Sequence, residues 1–491
     1  MILPYFVVIP LLAAFLISLI SGKKDNWAII LAIISILSLL VISIVGFVHT
    51  IDKNILYELG NWDIPYTICM VMDSFTAFML TIIHLLALTS LIYSIAYIRH
   101  LSKSWKYYSL FLLLIAGMNG VVLTGDIFNL FVFMEIALFA AYALVAYGNR
   151  SEEFEASFKY AVMGSISSTL ILLGIGITYS SFSTLTLAKI AEQVPQTSPV
   201  VVNWLRCIFV VGFGLKAAII PFHAWLPDAH SSAPAPISSM LSGVLIKALG
   251  VYVLIRLFFS VFGMPVAFGT LFKVLGSISI LVASFLAINQ WDIKRLLAYS
   301  SISQIGFIML ALGINSRLAI MGAVFHVLNH AIFKGLLFYT AGSVEMYIGT
   351  RDLRKMGRIS RLMPITSASS MIGTLSVSGL PVFNGFFSKL LIILAAIQAG
   401  AVTSAVIAVA GSILTLAYFL KFQRYGFLGN EEPEATGVKI STGMKVAMVT
   451  LAILCVLTSA LIIPGIRENV LTPVVDDIIN QAEYISLVLG G

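Results

Sequence analysis

His326, His330 and Lys334 stand four residues apart in "FHVLNHAIFKGLLF" (325–338), a stretch whose flanks are as apolar as a membrane span. On an α-helix that spacing stacks three titratable groups along one face, over about 12 Å of rise. A charge at the centre of a bilayer costs roughly 2.5–3.5 kcal/mol, and intramembrane ionisable residues usually mark ion routes. A metal pair of the HxxxH type is the weaker reading. No glutamate follows His326, no third ligand is evident, and Lys334 on the same face would repel a cation. Glu135, in "GDIFNLFVFMEIALFAAYALVAYG", is the only acid deep inside an expected span. Unpaired, it would protonate rather than stay charged in hydrocarbon. Buried lysines in the same chain therefore invite pairing. Such a pair reads either as a static lock between helices or, preferably, as a working charge in a pathway.

The elements that must position these groups are membrane helices. Of 491 residues, 59% are hydrophobic and only 10% charged, with a mean hydropathy of +1.02. A soluble chain of this length needs far more charge to cover its surface. About fourteen spans are expected, near 2–21, 27–49, 71–98, 107–124, 127–147, 160–182, 204–231, 236–259, 266–288, 296–313, 318–345, 364–398, 402–424 and 446–465. The short alternating segments of a membrane β-barrel are missing. Cys69, Cys207 and Cys455 form no CxxC pair, haem motif or iron–sulfur spacing, so no redox centre or other cofactor is expected in this chain. The N-terminus has no basic n-region and reads as a retained first helix. A net charge of +7 suits basic cytoplasmic loops better than nucleic acid.

If the loop holding Lys23 and Lys24 is cytoplasmic, that side and its helix ends carry 18 basic residues, Lys103 among them, and the opposite side carries 7. This asymmetry puts both termini outside. Four of the 29 basic residues remain, all inside expected spans: Lys216, Lys247, Lys334 and Lys389. Pro221 and Pro227 cannot donate within a helix, so the seventh span should break just after Lys216. Asp228, His223 and His230 beside that break read first as groups that satisfy free backbone, and second as gate or ligand residues. The twelfth span repeats the pattern, with Gly379, Pro381 and Gly385 ahead of Lys389. Interrupted helices in corresponding positions of two halves are the usual sequence sign of an ion site. Two inverted five-helix repeats follow from this correspondence. The expected division is 1–106 (three N-terminal helices), 107–259 (first repeat), 260–425 (second repeat) and 426–491 (last helix and tail).

The stretches "LTGDIFNLFVFMEIALFAAYALVAYG", "GLKAAIIPFHAWLPDAHSSAPAPISSMLSGVLIKALGVY", "WDIKRLLAYSSISQIGFI", "HVLNHAIFKGLLFYTAGS" and "LPVFNGFFSKLL" lie within roughly residues 70–425. Together they resemble the antiporter-like subunits of respiratory complex I, of multisubunit Mrp cation/proton antiporters and of membrane-bound hydrogenases. The resemblance implies a fourteen-helix fold with inverted repeats and two broken helices. It also implies that Glu135 pairs with Lys216, that Lys247, His326, His330 and Lys334 bridge the middle, and that Lys389 ends a hydrated polar axis carrying protons. Lys389 argues against the complex I subunit that carries glutamate there. A D-type Mrp subunit and its hydrogenase or sulfane-reductase relatives remain.

The expected function is proton translocation by an antiporter-like subunit of a larger assembly in the plasma membrane. Its partners would be other membrane subunits, protons, sodium as a second candidate ion, and the lipid bilayer. A stand-alone secondary transporter of an organic solute is the alternative. A quinone-reducing membrane enzyme is a third, for which no motif is found.

Overall fold

The computed structural model describes residues 2–20, 25–100, 104–429, 431, 436 and 438–490. Lys23, Lys24 and Lys103, used above for orientation, lie outside them. The chain folds as helices α1 (Tyr5–Ile20), α2 (Asp25–Thr50), α3 (Ser74–Tyr97), α4 (Ser104–Leu123), α5 (Ile127–Val145), α6 (Ser151–Phe182), α7 (Leu187–Gln193), α8 (Pro199–Lys216) and α9 (Trp225–Ser232). They continue through α10 (Ala235–Val261), α11 (Val266–Asn289), α12 (Ile293–Ile314), α13 (Arg317–Ile348), α14 (Pro364–Ser378), α15 (Asn384–Gln398) and α16 (Val402–Gly426). The last are α17 (Thr442–Leu457), α18 (Pro464–Ile479) and α19 (Gln481–Leu489). A two-stranded antiparallel hairpin, Ile55–Glu58 with Cys69–Met72, occupies the polar connection after α2 and pairs Ile55 with Met72.

Twelve helices among the described residues are long and apolar enough to cross a membrane. The difference from fourteen has a geometric cause. Helix α1, at 16 residues, rises about 24 Å against a hydrocarbon core of about 30 Å. The stretch 364–398 is not one helix but two 15-residue halves, α14 and α15.

At the centre stands α13, 32 residues long, begun by the Ser316 side chain accepting from the Ala319 N–H and ended by Gly349 at φ 71°. Its apolar residues show no one-sided pattern because neighbours cover it on every side. Around the outside, Trp27, Ile34, Phe158, Leu173, Phe285 and Ile413 are exposed, an apolar belt suited to lipid. Close packing between spans relies on small residues. A Cβ added at Gly276 of α11 would lie 2.6 Å from the Leu310 N of α12.

Helix α10 departs from regular α geometry. It is wound as a wider π-helix over Leu241–Leu245, Lys247–Tyr252 and Arg256–Val261. Such winding is rare and frequently falls at functional sites.

Candidate functional site

Helix α8 ends at Lys216 and α9 begins at Trp225. Between them Ala218 adopts a left-handed φ of 54°, and the Trp225 indole donates to Leu215 O at 3.0 Å. The Ile220 N–H donates to the Ser279 hydroxyl at 3.1 Å. A helix end leaves unsatisfied carbonyls, and within a membrane these need protein or water partners. Lys216 itself points across to α6. Its Nζ donates to Gly164 O at 2.9 Å and to Ser168 Oγ at 3.0 Å. Ser168 Oγ in turn donates to Glu135 Oε1 at 2.5 Å. Glu135 and Lys216 are thus joined through a hydroxyl rather than in direct contact. Gly164 leaves room for the Tyr142 ring, since a Cβ there would fall 1.8 Å from its hydroxyl.

Lys216 lines a void of about 10 Å³ together with Tyr160, Ser167, Trp225, Leu245 and Ile246, among others. That is about the room one water occupies. Leu245 and Ile246 directly precede Lys247. The Lys247 ammonium is fully buried and donates to Ser242 O, the carbonyl five residues back in the π-wound turn.

The ladder on α13 is also fully buried. His326 Nδ1 lies 3.0 Å from Ser388 Oγ on α15, and the His326 and His330 ring centroids are 6.3 Å apart. His326 Nε2 and both His330 nitrogens are buried with no hydrogen-bond partner among the described residues. Lys334 donates to Leu297 O at 2.8 Å and to the Ser300 hydroxyl. Beyond His326, the Phe307 ring lies 5.9 Å away, and the Lys389 ammonium sits 4.7 Å from that ring's centroid. Lys389 donates to Val377 O at 2.8 Å. This carbonyl belongs to the last turn of α14, which Gly379 closes at φ 78°. Pro381 lies in the 379–383 interruption, and Val382 there has φ 80°. Lys216 therefore precedes its break, whereas Lys389 follows its own.

The four lysines share one kind of environment. Each gives its ammonium hydrogens to a backbone carbonyl, two of them also to a serine hydroxyl, and none forms an ion pair with a carboxylate among the described residues. The residues beside the first break behave differently from the backbone-satisfying reading. Asp228 pairs with Lys159 at 3.0 Å and with Arg295. His230 is fully buried on the Phe338 ring, and both its nitrogens have no partner among the described residues. His223 leaves Nδ1 unpartnered and lies 6.4 Å from the Tyr299 ring.

Two buried ion pairs escape the sequence reading. Arg256, one of the 7 basic residues counted on the outer side and its helix ends, is interior to α10 and grips Asp73 through contacts of 2.7 and 2.8 Å. Its position inside the apolar run "GVYVLIRLFF" was the available signal. Lys294, one of the 18 basic residues counted on the cytoplasmic side and its helix ends, is buried and pairs with the half-buried Glu345 at 2.7 Å. The pair floors a cavity of about 280 Å³ that Arg150, Glu152, Ser232 and Arg351 also line. Ser168 was missed too. Hydroxyl residues are common in membrane helices, and the "GSISS" run alone does not single it out.

Apolar helices of spanning length, with several basic groups buried among them, define a multi-pass integral membrane protein. The chain belongs to the NADH:quinone oxidoreductase/Mrp antiporter transmembrane family, whose model matches residues 124–415. It is 32% identical to the D-type Na(+)/H(+) antiporter subunit of Alkalihalophilus pseudofirmus over 490 residues, covering 98% of this chain and 99% of that one. In structure it is similar to a chain of the Mrp complex from Dietzia sp., with a TM-score of 0.92 and 26% identity over 100% of this chain and 99% of the other. It is equally similar to a chain of the membrane-bound sulfane sulfur reductase, an archaeal respiratory membrane complex. There the TM-score is 0.91 and the identity 30%, over 99% and 100% of the two chains.

Proposed function

We propose that this chain is the proton-translocating, antiporter-like subunit of a multisubunit assembly in the plasma membrane. Protons are the transported species, and sodium is the second candidate ion. The axis comprises Glu135 and Lys216, then Lys247, then the ladder of Lys334, His330 and His326, and ends at Lys389. The observation that carries this reading is the shared setting of the four lysines. Burial disfavours the charged form of an amine, and a carboxylate in contact restores it. An amine held by carbonyls and hydroxyls alone can exist in either protonation state, which a relay requires. The unpartnered imidazole nitrogens of His326 and His330 support the same reading, since buried polar atoms call for hydrogen-bond partners that water can supply.

Segments 107–259 and 260–425 act as two inverted repeats, each with one broken helix and its lysine, flanked by 1–106 and 426–491. Fourteen crossings are counted when α1 spans and α14 with α15 form one broken span, and both termini then face outside. His223, Asp228 and His230 at the first break, with Pro221, and Gly379 with Pro381 at the second, form the gating regions. Relatives that are subunits of membrane complexes support the expectation of further membrane subunits as partners.

Purification in native lipid, followed by reconstitution into vesicles, tests this function. Small hydrophobic subunits should co-purify, and the assembly should exchange a cation for protons or pump protons when driven by a redox partner. A lone chain that moves an organic solute and no protons would contradict it.

A further inference from the structure

We infer that Ser168 relays a proton between Lys216 and Glu135, and so sets whether the two are held as a charged or a neutral pair. The inference deepens the proposed pathway and rests on it. A hydroxyl can donate one hydrogen bond while accepting others. Ser168 does both, accepting from Lys216 Nζ at 3.0 Å and donating to Glu135 Oε1 at 2.5 Å. The three groups form one continuous donor chain, N–H···O–H···O, with the serine oxygen at its centre.

The step conserves atoms and charge. As a Lys216 N–H bond breaks, that proton bonds to Ser168 Oγ, and the original Ser168 O–H proton moves to the Glu135 carboxylate. Ammonium and carboxylate become amine and carboxylic acid, and the serine is unchanged in composition. Its hydrogen now points at Lys216, and rotation of the hydroxyl resets the chain before another forward shift. No heavy atom has to travel. The neutral amine is then free to take a proton from the side of the small void facing Leu245 and Ile246. Without the hydroxyl, the same exchange would require Glu135 and Lys216 to approach each other.

The surroundings hold the serine in register. Ser167 donates to Gly212 O at 2.7 Å and pins α6 to α8. One turn before Ser168, Gly164 O takes a second Lys216 hydrogen at 2.9 Å. Lys216 thus keeps an anchor when Ser168 loses its hydroxyl, and S168A should fold.

The test uses the whole assembled complex in vesicles, with S168A, S168T and S168C compared at equal amounts of assembled protein. General acid–base contributions typically run 10²–10⁴-fold, so exchange in S168A should fall at least about tenfold. S168T keeps a hydroxyl and should stay within about threefold of the original, while S168C, a weak donor, should fall between. The pH profile should change shape in S168A rather than merely drop in height, which a purely structural role would not produce. Infrared difference spectra should show a protonated Glu135 carboxyl, identified by its loss in E135Q, in the original and in S168T but not in S168A. If S168A fails to assemble, S168C against S168T decides. Exchange at the original rate and profile in S168A, or in both S168C and S168T with no carboxyl band, would overturn the relay. E135A and K216A separate the two ideas. If they stop exchange while S168A does not, only the serine relay is wrong. If they too exchange normally, the pathway itself is wrong.

Discussion

At Lys216 the ammonium is satisfied by a carbonyl and a hydroxyl, and Glu135 acts on it one hydrogen bond further away. Loss of Glu135, itself half-buried, leaves the buried Lys216 ammonium without the carboxylate one hydroxyl away, at a cost to its charged form. A lysine can avoid that cost by releasing its proton. Glu135→Ala should therefore leave an assembled protein whose ion-coupled activity collapses, while Glu135→Asp keeps the charge with a shorter reach and retains part of it. Exchange measured in vesicles at equal assembled complex checks both; normal exchange in Glu135→Ala would reduce the pair to scaffolding. The lysines, histidines and Glu135 are legible in the sequence because ionisable residues are rare in apolar runs. What joins them is not. Ser168, Ser300 and the carbonyls of Gly164, Ser242, Leu297 and Val377 come from segments whose letters carry no signal, and only the fold brings them to the ammonium groups.

Among the elements, α10 was legible as a span and illegible as a π-helix. Its apolar residues are buried on all sides, so no periodicity reports the winding. The same uniform burial hid Arg256, which ties α10 to the start of α3. Asp73 caps α3 through the Thr76 N–H and pairs with Arg256, whose guanidinium also lies 5.2 Å from the Phe75 ring. Asp73→Ala leaves Arg256 buried without its partner and should destabilise the protein by about 3–5 kcal/mol. Replacing both partners by apolar groups, Asp73→Ala with Arg256→Met, should recover most of that loss. Thermal unfolding of the purified assembly reads both, and equal losses in the single and double variants would mean the pair contributes no net charge coupling. The interruptions were readable from their prolines and glycines. Their lengths were not, since the stretch around Pro221 opens eight residues and that around Pro381 only five.

At the scale of the molecule, the tail is fastened to the body through a carboxylate. Asp477 of α18 accepts from the Ser74 N–H at 2.6 Å and from Asn54 at 3.3 Å, while Arg256 faces Tyr484 of α19 at 5.3 Å. Burial and the neighbouring Asp73 carboxylate push Asp477 up to about 6. A raised folded value means the folded state holds the proton more tightly. Its contribution is complete below the unfolded carboxyl value of about 4 and is lost as pH rises through about 6. Hydrogen exchange of residues 464–489, corrected for intrinsic rates, should show stronger protection at pH 5 than at pH 7.5, and Asp477→Asn should abolish that difference. Orientation is checked separately. Cysteine labels in the 346–361 loop should react only from the cytoplasmic side, and labelling from outside would reverse the assigned topology. In the proposed pathway, protons cross the middle of the chain through the α13 ladder. Lys334→Ala tests this, because Lys334 is fully buried, donates to backbone and one hydroxyl, and holds no carboxylate among the described residues. Ion-coupled proton flux should be recorded in vesicles with equal amounts of assembled Lys334→Ala and unaltered complex. Flux reduced to the level of empty vesicles is the predicted result, and flux at the unaltered rate would contradict the account.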